Sequence, residues 1–318
     1  MKKILLFVIF SSFLFSTEPI EYGWDIPHTP LRVGGYIDAL YDKSIEEKFL
    51  FEDLSLLLSA NQNRFDFLSE IEISHFNLDG KSHGSADIDP NFERLQLMYT
   101  IDDTHAIKVG RFNSDVDFWN QAPVNILQET TTVPHITRSL YPKATTGISY
   151  IKTFNDEDKF SITFQNNRDI GDEYADWVVA DKHISLAYHG VNDEFLWSLA
   201  SGFYREEKSQ HEAYYAGVGV EYEYKEGVFQ AELFTQKGEE GLSKPYSAYL
   251  ESTWNFSKRQ NIVMRLEAYD DEELATEEVV SLLGYVYRPF SNLALKGEYV
   301  HHSDLPLNRF VASFSVMF

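Results

Sequence analysis

Cysteine is absent from all 318 residues, so disulfide staples, thiolate chemistry and Cys-based metal sites are closed to this chain. Basic residues are scarce: 27 Lys and Arg face 50 Asp and Glu, for a formal net charge of −23. That balance excludes nucleic acid as a partner, because phosphate binding rests on basic patches. Long apolar runs are missing beyond the first fifteen residues. The richest later stretch, Leu54-Ser55-Leu56-Leu57-Leu58, falls far short of the roughly twenty apolar residues that a spanning helix needs. A helical membrane protein is therefore excluded. No local motif joins a nucleophile to a base or gathers metal ligands, so no catalytic residue, metal or cofactor is assigned.

What is present begins with an export signal. Met1-Lys2-Lys3 is basic, residues 4–15 are apolar apart from Ser11 and Ser12, and Ser16-Thr17 then Glu18-Pro19 follow. A basic start, a short apolar core and a small-residue exit describe a cleaved secretory signal over 1–16. With no cysteine near the cleavage region, a lipoprotein anchor is excluded. Residues 17–30 read as a periplasmic leader, too short to be a plug domain, and 31–318 as one domain.

Within 31–318 the residue order has a period of two. In 310–318, Phe310, Ala312, Phe314, Val316 and Phe318 are apolar, and Ser313 and Ser315 lie between them. Between 214 and 224 one face carries Tyr214, Ala216, Val218, Val220, Tyr222 and Tyr224; the other carries Tyr215, Gly217, Gly219, Glu221 and Glu223. Comparable segments are 32–41, 49–60, 64–76, 92–101, 105–112, 146–154, 160–167, 183–189 and 195–203. They continue with 228–235, 246–256, 262–269, 279–288 and 293–301. The total is about sixteen, an even number as bacterial single-chain barrels require. Leu56-Leu57-Leu58 breaks the alternation, which leaves fourteen to eighteen open.

The connectors support the same architecture. Short ones (61–63, 102–104, 155–158, 191–193, 225–227, 257–260 and 289–292) alternate with longer ones such as 77–91, 168–181 and 270–278. A transmembrane antiparallel β-barrel has short periplasmic turns and long outer loops, whereas a soluble sandwich has no reason to keep that register. Tyr and Trp side chains such as Trp197, Tyr214, Trp254, Tyr285 and Tyr299 fall on outward faces, where half-apolar rings suit the lipid–water boundary. The expected location is thus the bacterial outer membrane, with lipid as solvent.

One connector departs from the pattern. Residues 113–145 form a long stretch without periodicity, third among the outer loops, and loops of that length are usually functional. It follows Lys108-Val109-Gly110-Arg111-Phe112 and contains Asn120-Gln121-Ala122-Pro123-Val124-Asn125 and Arg138-Ser139-Leu140-Tyr141-Pro142. In rank, length and these phrases it resembles the third loop of trimeric bacterial porins, including phosphate-selective ones. The resemblance implies a diffusion channel for small hydrophilic solutes and ions, a homotrimer, and a loop folded into the lumen as its constriction. Asp115, Asp117, Asn120, Gln121, Asn125, Glu129 and Arg138 would then line the narrow zone. The closing strand is similar to those of outer-membrane barrels, which implies that Phe310, Phe314, Val316 and Phe318 are read by the barrel-assembly machinery, with no tail beyond them.

If the apolar faces point outward, the wall of the lumen carries Arg32, Asp38, Arg64, Glu70, Glu72, Arg94, Lys108, Glu221, Glu232, Glu251, Arg265, Glu267, Lys296, Glu298 and Arg309. Acids exceed bases, so a weak cation preference is expected. Phosphate selectivity is disfavoured, since the loop offers only Arg138 and Lys143 against three acids. Outer acids, among them Asp169, Asp172, Glu173, Asp176, Asp181 and 270–278, suit divalent-cation bridging to lipopolysaccharide phosphates. Two alternatives stay open: a barrel enzyme of phospholipase or protease type, for which His75, His83, His211, His301 and His302 are candidates, and a non-channel adhesin or receptor.

Overall fold

A computed structural model describes residues 23–42, 48–76, 90–122, 124–155, 157–171, 177–192, 194–239 and 241–318. The expected signal at 1–16 and the start of the leader lie outside these residues. So do His83, Asp172, Glu173 and Asp176.

Alternating apolar and polar residues produce long strands, and the described residues form seventeen of them in one sheet. They are β1 (Trp24–Asp25), β2 (Leu31–Asp42), β3 (Lys48–Gln62), β4 (Phe65–Phe76), β5 (Asn91–Asp102) and β6 (His105–Asn113). Then come β7 (Ala144–Phe154), β8 (Asp158–Asn166), β9 (Ala180–Asn192), β10 (Phe195–Glu206), β11 (Glu212–Tyr224) and β12 (Gly227–Lys237). The last are β13 (Lys244–Ser257), β14 (Gln260–Asp271), β15 (Thr276–Phe290), β16 (Leu293–His302) and β17 (Arg309–Met317). Each of β2 to β17 pairs antiparallel with the next, and β17 pairs with β2. The result is a closed antiparallel barrel of sixteen strands, with β1 as one extra.

Closure is made in register. Ser315 lies opposite Asp38 and Val316 opposite Ile37. Below the end of β17, Phe318 and Gly35 exchange both backbone hydrogen bonds at 2.9 Å. β1 takes up the remaining edge of β2 through Trp24–Val33 and Asp25–Arg32 pairs. Within the segment expected to be a plain leader, these two residues therefore extend the seam.

The faces separate as the period of two requires. On β15, Val279, Leu283 and Tyr285 are exposed on the outside, while Val280, Leu282 and Val286 are buried inside. The ambiguous triplet resolves the same way: Leu56 points outward and exposed, and Leu57 points inward and is buried. The alternation never broke; the lumen simply contains apolar side chains. Short turns use Asn63 and Asn155 at φ +58° and +52°, a left-handed conformation that Asn tolerates better than most residues.

β6 carries the strand into the long loop, and Gly110 sits in it at φ +109°. A Cβ there would lie 2.1 Å from the Leu95 carbonyl oxygen. We expect Gly110→Ala to destabilise the barrel by roughly 1–3 kcal/mol, the range for a forced backbone conformation. Gly297→Ala, whose added Cβ meets only the Phe310 ring at 3.7 Å, is the neutral control in urea unfolding followed by tryptophan fluorescence.

Candidate functional site

The loop between β6 and β7 folds into the barrel. Its base is clamped: the Ser114 backbone N–H donates to the Lys143 carbonyl at 2.8 Å and its hydroxyl to the Pro142 carbonyl at 2.5 Å. Asn120 completes the clamp, its side-chain amide donating to the carbonyls of Ser114 (2.9 Å) and Lys143 (2.8 Å). Expected to line the constriction, Asn120 instead ties the loop to itself. The loop also has more local structure than its sequence suggested, with 3-10 turns at Trp119–Gln121 and Asn125–Leu127 and a helix α1 at His135–Ser139.

From that base the loop meets the wall nearly all the way round. Asp115 accepts from Lys159 on β8 at 2.8 Å and from Ser161 at 3.1 Å, with His189 of β9 at 3.5 Å. Burial raises the Asp115 pKa, but Lys159, His189 when protonated, and Lys108 outweigh it and hold the carboxyl below the usual carboxylate range. Among the described residues, Asp117 has no ion-pair partner. It accepts from the Asn120 backbone at 2.7 Å and from the Thr137 hydroxyl, and burial pushes its pKa up. The Phe118 N–H donates to Glu232 on β12 at 3.1 Å, and Tyr249 donates to the same carboxylate at 2.7 Å.

The loop then crosses to the seam. Val124 and Ile126 pack with Tyr36, Leu57, Leu68, Ala294 and Met317. Asn125 donates to Ser315 at 3.0 Å and accepts from Lys296 at 2.7 Å. Glu129 accepts from Arg288 (3.1 Å) and Asn261 (3.0 Å). The Thr131 and Thr132 N–H groups both donate to Glu298, the second at 3.1 Å. Arg265 donates to Thr130 (2.8 Å) and to the Thr132 carbonyl (2.7 Å) while paired with Glu267 at 2.8 Å and Glu251 at 3.5 Å. Returning, Ile136, Leu140 and Tyr141 enter an apolar cluster with Tyr204, Tyr215, Phe234 and Tyr249.

The remaining expected wall residues divide. Asp38, Glu70, Glu72 and Arg94 form an inward group on β2 to β5, in which Tyr36 donates to Glu70 (2.6 Å) and Glu72 (3.1 Å) and Arg94 pairs with Glu70. Lys108 also faces inward, over the Phe112 ring at 4.7 Å, and Glu221 accepts from Gln230. Gln121 reaches His189 at 3.4 Å, and Arg138 sits half-buried on α1. Arg32, paired with Asp25 at 3.8 Å, and Arg309, paired with Asp42 at 3.3 Å, stand near the ends of the barrel. Arg64 is corrected: it lies exposed in the turn between β3 and β4 and donates to the Ile101 carbonyl at 2.9 Å. β4 begins one residue later than its alternation suggested, so that side chain never enters the wall.

Sequence reasoning missed two clusters. Fully buried Arg111 pairs with Asp169 (3.0 Å) and Glu93 (3.4 Å), and Lys143 adds a 2.7 Å pair to Glu93. Asp169, read as a free outer acid, thus tethers the next loop to β6. Likewise His135 lies between Ser247 (3.1 Å from Nδ1) and Asp271 (3.3 Å from Nε2), stacked on Tyr269 at 3.8 Å. The residue types are those of a hydrolytic triad. Ser247 is 1% exposed, however, and the His135 backbone N–H also donates to Glu267 at 2.8 Å, so the cluster anchors α1 to β13 and β14. Among the described residues, no group of three or more His, Asp or Glu is placed to hold a metal ion.

A closed sixteen-strand barrel with one long loop folded inward defines a porin-type β-barrel. Solved structures of this kind are similar along nearly the whole chain. The OmpF of Salmonella typhi superposes with a TM-score of 0.69 at 11% identity, over 93% of this chain and 100% of that one. The anion-selective porin of Comamonas acidovorans gives 0.65 at 13% identity, covering 92% and 100%. OmpT of Vibrio cholerae gives 0.64 at 8%, covering 93% and 100%. No protein-family model and no curated protein matches the sequence.

The Asp115–Lys159 pair yields a stability prediction. Lys159→Met leaves a buried carboxylate without its closest cation and should cost roughly 3 kcal/mol at neutral pH. Because the Asp115 pKa lies below its unfolded value, the parent's advantage is complete above about pH 4 and fades as pH falls further. Urea unfolding of both proteins at pH 7 and pH 3 checks this; a gap that widens in acid would refute it.

Proposed function

We propose that the chain is an outer-membrane porin that passes small hydrophilic solutes and ions. What supports this reading is the combination of an apolar outer wall with an ionic interior around the infolded loop between β6 and β7. In lipid a sheet satisfies every backbone group only when it is closed, and the exposed belt of Leu, Val, Phe and Tyr suits hydrocarbon rather than water. Export through the signal at 1–16, assembly through Phe310, Phe314, Val316 and Phe318, and a homotrimer embedded in lipid and lipopolysaccharide belong to the same proposal.

The finer part concerns charge. On β2 to β4 the lumen face carries Asp38, Glu70 and Glu72, and one cation, Arg94, is bound to Glu70. Elsewhere Arg265 is shared between Glu251 and Glu267. Carboxylates therefore exceed the cations that face them, which favours a weak cation preference.

Planar-bilayer recording of the purified protein tests both parts. Stepwise ohmic conductance is expected, with a reversal potential of cation-selective sign in a potassium chloride gradient. Silence would overturn the channel; an anion-selective sign would overturn the preference alone. Glu72→Gln should move the reversal potential toward zero without closing the channel.

A further inference from the structure

Asp38 is the acid that the interior leaves unmatched. It lies on the inner face of β2, 1% exposed, and among the described residues neither of its carboxylate oxygens has a hydrogen-bond partner. A buried carboxylate is costly unless positive charge or hydrogen bonds compensate it. The surroundings of Asp38 enlarge the deficit. Asp53 on β3 stands directly opposite it, and like charges in that relation repel. One row along the strand, Tyr36, Ser55 and Glu72 are aligned, and the single Tyr36 hydroxyl proton is shared between Glu70 and Glu72 at 2.6 and 3.1 Å.

Cations of this region are committed to other acceptors. Arg94 pairs with Glu70. Lys296 on β16 has three donors, and it directs them to the Asn125 carbonyl at 2.5 Å, the Asn125 side-chain oxygen at 2.7 Å and the Thr130 carbonyl at 3.4 Å. A neutral oxygen is at hand instead. Ser315 of β17 lies opposite Asp38 on its other side. It is fully buried, and its hydroxyl oxygen accepts from the Asn125 side-chain amide at 3.0 Å. Carboxylate and hydroxyl oxygens suit a hard cation. A divalent ion ordinarily takes several carboxylates at one point, and among the described residues no three acids are so placed. One carboxylate with neutral oxygens suits a single positive charge.

We propose that Asp38 and Ser315 hold one alkali cation, sodium or potassium, across the seam where β17 closes on β2. The ion supplies the charge that Asp38 lacks and ties the last strand to the first, so that closure of the barrel is itself cation-dependent. This role is structural and holds whether or not the barrel conducts.

Urea unfolding of the purified protein at about pH 8, where exposed carboxylates are ionised, tests the site in chloride salts of equal ionic strength. Sodium or potassium should slow unfolding by on the order of tenfold relative to N-methyl-D-glucamine, a cation too large for the site, and the slowing should saturate as binding to one site requires. Asp38→Asn keeps the shape and removes the charge, so it should fold and then unfold at the same rate in every salt. Ser315→Ala keeps the charge and should need more sodium or potassium for the same slowing. Equal rates for the parent protein in all the salts would overturn the proposal and leave Asp38 neutralised by a proton. An alkali effect that survives Asp38→Asn would overturn it as well, by placing the ion elsewhere. Calcium acting through Asp38 at far lower concentration than sodium would overturn the choice of a monovalent ion.

Discussion

Closure of the hydrogen-bonded ring is the constraint on which everything else in this molecule depends. In hydrocarbon an unpaired N–H or C=O costs several kcal/mol, so a sheet with a free edge has no place there. The β17–β2 seam removes that edge, and the reciprocal bonds between Phe318 and Gly35 extend it past the last strand residue. Trp24 of β1 then lies 6.2 Å from the Phe318 ring, packing the two ends of the strand region against each other. Once the ring is closed, the period of two assigns each strand side chain to the outer face or the lumen.

A closed ring creates an interior that must be filled or wetted, and this chain fills much of it with its own third loop. The loop is apolar where it meets Leu57, Leu68, Phe234 and Tyr249 and polar where it meets Glu298, Arg265 and Lys296. The wall matches it patch by patch. Apolar residues therefore recur at inward positions of a barrel strand, as at Val280 and Leu282, against a simple scheme of apolar outside and polar inside. The ionic groups left over are organised rather than scattered: Arg265 joins two carboxylates to the loop, and Lys159 holds Asp115 ionised. Removing water strengthens each of these attractions and makes each unpaired partner more costly.

That coupling also explains why residue types alone misread some positions. His135, Ser247 and Asp271 come from a loop and two strands and bring together the residue types of a hydrolytic site, yet Ser247 meets Nδ1 and Asp271 meets Nε2, and their burial makes them a fastening. Arg111 belongs by alternation to the same face as Val109, an outward position that disfavours an unpaired cation. Glu93 and Asp169 neutralise it there, so the position is tolerated.

The sequence by itself determined the barrel, because alternation, connector length and a closing aromatic strand are local properties that survive in one dimension. It also determined which residues face inward, since parity propagates along a strand; Glu70, Glu232, Arg265 and Glu298 were legible in this way, and Arg64 was not, since one residue at a turn decides between wall and rim. Strand number stayed ambiguous at Leu56-Leu57-Leu58 because the reason for an inward Leu57 lies far along the chain, in Val124 and Ile126. Only the tertiary structure decided what the inward residues touch. Partners such as Asp115 with Lys159, Thr131 with Glu298 and Arg111 with Asp169 are brought together by the ring's curvature and the path of an aperiodic loop, and no spacing along the chain encodes either.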